Sequence, residues 1–135
     1  MTAKPLKSIL FVCRHNSVRS QIAALLTEKI SHASITANSA GPEPTAVPEY
    51  ISQWATHLGH SAPLTSRSLE QVKDQPSDLI VTLCDKSHQA LPELKTDQEH
   101  IRWDFRQADT IDDLKHLEIE LAERIRLLLL IKGVI

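Results

Sequence analysis

The chain contains a four-residue apolar run, Ile9-Leu10-Phe11-Val12, followed at once by Cys13-Arg14-His15-Asn16-Ser17-Val18-Arg19-Ser20. A short apolar run of this kind is typical of a buried strand. The apolar residues that follow recur at helical spacing, at Ile22, Leu25, Leu26 and Ile30. The sequence therefore predicts a strand, a short loop and a helix, with a cysteine and an arginine at the two ends of the loop.

Such a loop suits the binding of an oxyanion. Backbone N–H groups and the positive N-terminal end of a helix attract an anion, and the planar guanidinium of Arg19 can hold two of its oxygens. The same positive field stabilises a thiolate at Cys13, which is the nucleophilic form of cysteine. The alternative is that Cys13 is a buried structural cysteine, since free cysteine is often buried. We predict that Cys13 is a nucleophile and that the oxyanion contacts Arg14, His15, Asn16, Ser17, Val18, Arg19 and Ser20.

Three of these loop residues have more than one interpretation. Asn16 either forms hydrogen bonds across the loop with an unusual backbone angle, which we favour, or faces solvent in a turn. Ser20 either donates a hydrogen bond to the Cys13 thiolate or starts the helix, and the two roles are compatible. We expect His15 to lie exposed on the outer part of the loop rather than to act as a general base.

Composition sets bounds on the other functions. A length of 135 residues and 41% hydrophobic residues predict one domain, residues 1–135, with enough chain to bury a core. The net charge of −2 and the lack of a basic block argue against nucleic acid as a partner. The run Leu127-Leu128-Leu129-Leu130-Ile131 is too short to span a membrane and is interpreted as a buried helix end. Two cysteines and no signal-peptide pattern indicate reactive thiols in a cytoplasmic protein.

Strands and helices alternate along the rest of the chain. We predict strands over 8–13, 35–39, 79–83 and 100–105, and helices over 19–33, 47–58 and 85–91, with a short helix from Ser68 and a long last helix begun by Thr110 or Asp112. This alternation is typical of a three-layer α/β domain, in which a parallel sheet carries helices on both faces. Ligands of such sheets bind beyond the carboxyl ends of the strands, where Cys13 and Cys84 both lie.

The segment from Ile9 to Ala23 resembles the low-molecular-weight protein tyrosine phosphatase superfamily and, within it, the arsenate reductases. Three further segments resemble that family in the expected order. Gln21 and Cys84 favour the reductase branch, because phosphatases typically have proline after the serine that follows the arginine. The resemblance covers essentially the whole chain and implies a four-stranded parallel sheet of order 2-1-3-4. The three segments are Asn38-Ser39-Ala40-Gly41, Asp78 to Asp85, and Trp103-Asp104-Phe105.

The resemblance also implies a role for Cys84. In arsenate reductases of this fold a cysteine at this place attacks the arsenylated first cysteine, which releases arsenite and leaves a disulfide. A third cysteine downstream completes the thioredoxin-linked relay in that branch, but the stretch from Asp85 to Pro92 has none. We therefore expect no bound cofactor and an external thiol reductant, such as thioredoxin, glutaredoxin or a glutathione-like thiol. The alternative is that Cys84 is a buried core cysteine.

The general acid of the family is an aspartate followed by proline, a few residues after the tryptophan of the fourth strand. Here Gln107-Ala108 aligns with that pair, and glutamine cannot donate a proton as a carboxylic acid does. Asp109 on the same loop is the candidate substitute, whereas Asp104 is expected on another face or at the edge of the strand.

We expect no metal site. The histidines show no metal-ligand spacing, and His100 is interpreted as a surface residue before the fourth strand. Some reductases of this fold bind potassium through an acidic residue of the first helix, where this chain has Ala24.

The leading hypothesis is an arsenate reductase with Cys13 as nucleophile, Arg19 as anion clamp and Cys84 as resolving thiol. A second hypothesis is a low-molecular-weight tyrosine phosphatase that hydrolyses phosphomonoesters, with Asp109 or water as acid. A third is an oxyanion-binding regulatory domain with little turnover.

Overall fold

The computed structural model describes residues 5–60, 63–75, 77–94 and 98–135, without the side chains of 93 and 94. Its four strands form one parallel sheet of order β2-β1-β3-β4, which confirms the predicted α/β fold and strand order. The central strand β1 pairs with β2 on one side and with β3 on the other. The strands are β1 Ser8–Val12, β2 Thr36–Ala40, β3 Leu79–Thr82 and β4 Glu99–Arg102.

Helices cover both faces of this sheet. The larger core joins Ile9 and Phe11 of β1 to apolar residues of α1, α2 and α5, whereas Leu10 and Val12 pack with residues of α3 and α4 on the other face. Burial on both faces explains why the β1 sequence is continuously apolar rather than alternating. The helices are α1 Arg19–Ile30, α2 Glu49–His57, α3 Leu69–Val72, α4 Asp85–Ala90 and α5 Ile111–Ile131.

The first helix ends three residues earlier than its apolar pattern suggests. His32 and Ala33 have φ of +52° and +63°, in the left-handed region that a right-handed helix cannot include. The two predicted helix starts that rest on capping chemistry are confirmed. Ser68 caps α3 with a capping box, and Thr110 rather than Asp112 caps α5 by accepting from the backbone N–H of Asp113.

Two further boundaries differ from the predictions. The fourth strand ends at Arg102, so Trp103 and Phe105 lie in the segment that leaves the sheet. The preceding helix was predicted over 85–91, and α4 ends one residue earlier, at Ala90, where a short 3₁₀ helix, Leu91–Leu94, follows it. Proline fits there since the first turn of a helix needs few N–H donors.

The prediction of a buried helix end at 127–131 is wrong. Leu128 and Leu129 are buried, but Leu127, Leu130 and Ile131 are 53%, 61% and 72% exposed. Five apolar residues in succession surround the helix, and only one side of α5 faces the core. Among the described residues, no helix has the length and apolar character needed to cross a bilayer.

Candidate active site

Cys13 lies directly after β1, and only 2% of it is exposed. Its sulfur is 3.0 Å from the hydroxyl oxygen of Ser20. That oxygen accepts a hydrogen bond of 2.7 Å from the side-chain amide of Asn16. Because the oxygen already has a donor, the Ser20 hydroxyl proton is free to point at the Cys13 sulfur.

Asn16 is held in an unusual conformation by a segment distant in sequence. Its φ is +50°, and its side-chain oxygen accepts from the backbone N–H of Arg67 at 2.8 Å. Its carbonyl oxygen accepts from the amide of Gln21 and the hydroxyl of Ser66, at 3.0 and 3.1 Å. The Gln21 amide also donates to the carbonyl of Thr65 at 2.9 Å. Asn16 therefore forms hydrogen bonds across the loop, as predicted. No feature of the sequence indicates that residues 65–67 also stabilise the loop.

Gly41 supports the loop from behind. A Cβ atom at this position would lie 2.3 Å from the carbonyl oxygen of Cys13 and 2.9 Å from the backbone nitrogen of Asn16. Contacts below 3.0 Å to backbone atoms cannot be relieved by a side-chain rotation. Only glycine lets the end of β2 approach the loop this closely.

Replacing Gly41 with alanine is expected to displace the loop and to weaken phosphate binding at least tenfold. Overpacking of this kind also costs about 1–3 kcal/mol of stability. Isothermal titration with phosphate, together with thermal unfolding, measures both effects. Gly59→Ala is the matched control, because Gly59 has φ +90° but nothing lies within 4 Å of its Cβ position. Phosphate affinity that falls equally in both variants would contradict this role of Gly41.

The loop presents free backbone donors. In the described part of the chain, the N–H groups of His15, Asn16, Ser17 and Val18 donate no hydrogen bond to another protein atom. Residues 16–18 are nevertheless buried. Buried N–H groups are normally paired, and such donors beside the N-terminus of α1 suit the oxygens of an anion.

Arg19 adds a buried positive charge. The residue is 8% exposed, and one of its terminal nitrogens donates to the carbonyl of Phe105 at 3.0 Å. Among the residues that the structure describes, no carboxylate lies within ion-pair distance of this guanidinium. Burying an unpaired charge is costly, so an oxyanion is the natural counter-ion of Arg19.

The side chains of Arg14 and His15 bind protein rather than point at the anion. Arg14 Nε donates to the carboxylate of Glu43 at 3.1 Å, and His15 Nδ1 is 2.9 Å from the Glu43 carbonyl oxygen. His15 is half-buried rather than exposed. Both side chains bind the loop to the segment after β2, and the backbone N–H of His15 is left to face an anion.

Cys84 follows β3 as the N-cap residue of α4 and is half-buried. Burial raises the pKa of its thiol. Four other effects lower that pKa and together exceed the effect of burial: hydrogen bonds from the Ser87 hydroxyl and the Ser87 backbone N–H, the charge of Arg19 and the backbone N–H of Arg14. The pKa of the Cys84 thiol is therefore below its usual value. Arg14 directly follows Cys13. Cys84 therefore contacts the cysteine loop and is not a fully buried core residue.

The two predicted acid positions lie on the segment that follows β4. Gln107 and Asp109 are both exposed. The segment between them is anchored by Ala108, which is 2% exposed and whose carbonyl accepts from the Tyr50 hydroxyl at 3.4 Å. Asp104 lies elsewhere, with 82% of its side chain exposed and 3.2 Å from a ring nitrogen of His88. The role of Asp109 as general acid stays a prediction.

His100 is not a surface residue before the fourth strand, as the sequence suggested. It lies within β4, half-buried, with Nε2 2.7 Å from the hydroxyl of Thr82 on the neighbouring strand. Burial, together with the nearby His88 and Arg102, lowers the pKa of His100. The sheet register and the cover provided by α4 decide this environment, and neither is visible in the residues around position 100.

Most of the chain matches the sequence pattern of a known protein family. The sequence pattern of the family described as low molecular weight phosphotyrosine protein phosphatase matches residues 8–121. The chain belongs to this family. The match begins with β1 and ends inside α5, so it includes every site residue discussed above.

Relatives in this family carry the name of arsenate reductase. An arsenate reductase from Halalkalibacterium halodurans is 31% identical over 100 residues, which are 73% of this chain and 72% of the relative. The crystal structure of an arsenate reductase from Archaeoglobus fulgidus superposes with a TM-score of 0.75 at 32% identity, covering 89% of this chain and 97% of that one. The predicted resemblance to the superfamily and to its arsenate reductase branch is confirmed.

A more distant solved structure agrees in fold. A thioredoxin-dependent arsenate reductase from Corynebacterium glutamicum has a TM-score of 0.72 at 22% identity, covering 98% of this chain and 65% of that one. At this identity the likeness shows the fold alone.

Proposed function

We propose that the protein is a thiol-dependent arsenate reductase that uses Cys13, Arg19 and Cys84. The observation that carries the proposal is the position of Cys84 just beyond β3, the strand that is paired in parallel with the strand ending at Val12 before Cys13. The backbone N–H of Arg14 and the charge of Arg19 both lower the pKa of its thiol. A second thiol at the edge of an oxyanion loop serves thiol–disulfide chemistry, whereas phosphate ester hydrolysis needs only the first.

The first step forms a sulfur–arsenic bond. Arsenate binds to the free N–H groups of the loop and to the guanidinium of Arg19, which also stabilise the negative charge that builds up on its oxygens. The Cys13 thiolate attacks arsenic, and one arsenate oxygen takes up protons and leaves as water. Asp109 is the proposed proton donor, because the aligned position carries Gln107.

The second step reduces the arsenic. The Cys84 thiolate attacks the sulfur of Cys13, so that a sulfur–sulfur bond forms and the sulfur–arsenic bond breaks. The electron pair of the broken bond stays on arsenic, which leaves as arsenite. The two cysteine sulfurs are oxidised by two electrons in total, and arsenic is reduced by two. The lowered pKa of the Cys84 thiol supports its role as the attacking thiolate.

An external thiol closes the cycle. The chain has two cysteines, so no third thiol of its own can carry the disulfide outward. Thioredoxin, glutaredoxin or a glutathione-like thiol is the proposed reductant, and the cytoplasm, where such thiols are kept reduced, is the proposed compartment. The thioredoxin dependence of the Corynebacterium relative supports this choice.

Mass spectrometry tests the reductase directly. Reduced protein is exposed to arsenate without an added thiol, alkylated and digested. We expect one new disulfide between the peptides of Cys13 and Cys84, together with one equivalent of arsenite. Phosphate at the same concentration is the control and should produce no disulfide. Arsenite release without any disulfide would refute the two-thiol mechanism.

Replacing Arg19 with lysine should weaken arsenate and phosphate binding by tenfold or more. A lysine ammonium is a point charge that cannot form two parallel hydrogen bonds to one anion, and it also loses the bond to the Phe105 carbonyl. Competition of the two anions with Cys13 alkylation measures the change. Arg14→Lys is the control, since its guanidinium bonds Glu43 at the surface. Unchanged anion protection in Arg19→Lys would remove this residue from the site.

A phosphatase is the second candidate. The family to which the chain belongs is named for phosphotyrosine hydrolysis, and Cys13 and Arg19 would serve a phosphoenzyme mechanism equally well. The exposed Gln107 weighs against it, because an ester leaving group needs a proton that glutamine cannot supply. A regulatory oxyanion-binding domain is the third candidate, and arsenate turnover with a thiol reductant separates it from the first.

A further inference from the structure

A second group of reactive side chains lies outside the cysteine loop. Asp85, His88 and Asp104 each offer one ligand atom, and these three atoms all lie within 4.8 Å of one another. Asp85 and His88 are one turn apart on α4, and Asp104 belongs to the segment that leaves β4. The sheet brings these elements together, since β3 and β4 are neighbouring parallel strands.

A hydrogen bond with Thr82 of β3 fixes the orientation of the His88 ring. The His88 side chain is 5% exposed, and its Nδ1 forms a hydrogen bond with the hydroxyl of Thr82, which is fully buried in β3. The same hydroxyl is 2.7 Å from Nε2 of His100. The opposite ring nitrogen of His88, Nε2, faces the carboxylate of Asp104 at 3.2 Å.

The hydrogen bonds of this group can run in a direction that suits a metal ion. When His88 Nδ1–H donates to Thr82, the Thr82 hydroxyl donates in turn to His100, and the lone pair of His88 Nε2 faces the carboxylates. A lone pair and two carboxylates are mutually repulsive until a cation lies between them. Metal-bound histidines are held in this way, by donating the second ring N–H to a neighbouring acceptor.

We propose that Asp85, His88 and Asp104 bind one divalent transition-metal ion of the Zn²⁺ type, with Thr82 and His100 as the supporting shell. One imidazole and two carboxylates are a ligand set that Zn²⁺ accepts, and solvent completes the coordination. Bonds of about 2.0–2.2 Å in a tetrahedral site place ligand atoms roughly 3.4 Å apart. The ligand atoms already lie within 4.8 Å of one another, and the exposed side chains of Asp85 and Asp104 can rotate to bring them to that distance.

The sequence predicts no metal site, because its histidines are scattered along the chain. The proposed site would use the i, i+3 pair Asp85 and His88, to which the fold adds Asp104 from 16 residues further on. The metal site does not depend on the proposed reductase activity. It would link the first turn of α4 to the segment after β4, so a bound ion should raise the melting temperature.

The test uses the variant Cys13→Ser/Cys84→Ser, which removes both thiols of the chain and so any Zn²⁺ binding by sulfur. Calorimetric titration with Zn²⁺ should show one ion per chain, and the visible spectrum with Co²⁺ should show bound metal. In this background, Asp85→Asn and Asp104→Asn should each weaken binding at least tenfold. Both residues are exposed, so these variants keep the fold.

Two further variants separate a built site from chance binding at the surface. Thr82→Val keeps the shape of the residue but removes the hydroxyl that orients His88, and should weaken Zn²⁺ binding about 10–100-fold. His116→Gln is the matched control, because His116 is exposed on α5 one turn from Asp112 and Asp113. It should leave the affinity unchanged. No Zn²⁺ binding in the thiol-free protein, or binding that neither aspartate variant weakens, would overturn the proposal.

Discussion

Replacing Cys84 with serine should abolish arsenate reduction when thioredoxin is the sole reductant, while arsenate still binds. Serine cannot form a disulfide, so no thiol of the chain can attack the arsenylated Cys13 and release arsenite. The fold should persist, because serine is among the best N-cap residues and Cys84 is the N-cap of α4. The loss therefore reports chemistry rather than folding.

The expected loss of turnover is at least about 10²-fold, since an internal thiol acts at an effective concentration far above that of a thiol in solution. Arsenite release followed by thioredoxin oxidation measures turnover, and protection of Cys13 from alkylation measures arsenate binding. Cys13→Ser is the control and should lose the first step itself. Full thioredoxin-driven turnover by Cys84→Ser would remove Cys84 from the mechanism. Turnover restored by glutathione alone would indicate a cycle that uses one cysteine.

Introducing aspartate at position 107 should raise aryl phosphatase activity by about 10²–10⁴-fold, the usual worth of a general acid. Gln107 lies two residues after Phe105, whose carbonyl accepts from Arg19, so the segment that carries it passes beside the oxyanion loop. The native glutamine leaves the ester oxygen without a proton donor. Gln107→Asn is the matched control, because it has the shape of aspartate without its acidity.

Hydrolysis of an aryl phosphate, measured against pH for wild type, Gln107→Asp and Gln107→Asn, tests this expectation. Asp109→Ala belongs in the same series. Equal turnover in all three proteins, together with loss of turnover in Asp109→Ala, would show that Asp109 already acts as the acid. That result would support the phosphatase hypothesis, because Asp109 would supply the proton that Gln107 cannot donate.

The local pattern of the sequence was sufficient for the central part of the site. The apolar run of β1, the loop from Cys13 to Arg19 and the apolar spacing of α1 are all contained in about 22 consecutive residues, and the structure has them as predicted. The strand order came from resemblance to a family, and the two capped helix starts came from local hydrogen bonding at Ser68 and Thr110. The loop and the two capped helix starts could be predicted because the atoms that stabilise them are near one another in the chain.

The tertiary structure alone decided which distant groups complete the site. Asn16 is bonded by Arg67 from 51 positions away, and Arg19 by Phe105 from 86 positions away. Asp104 meets His88 only because β3 and β4 are paired. Which side of α5 is buried is likewise set by its packing on the sheet, which leaves Leu130 and Ile131 exposed. Hydrogen bonding and burial depend on where every neighbouring helix and strand lies. The residues of one segment do not specify where the other segments pack against it.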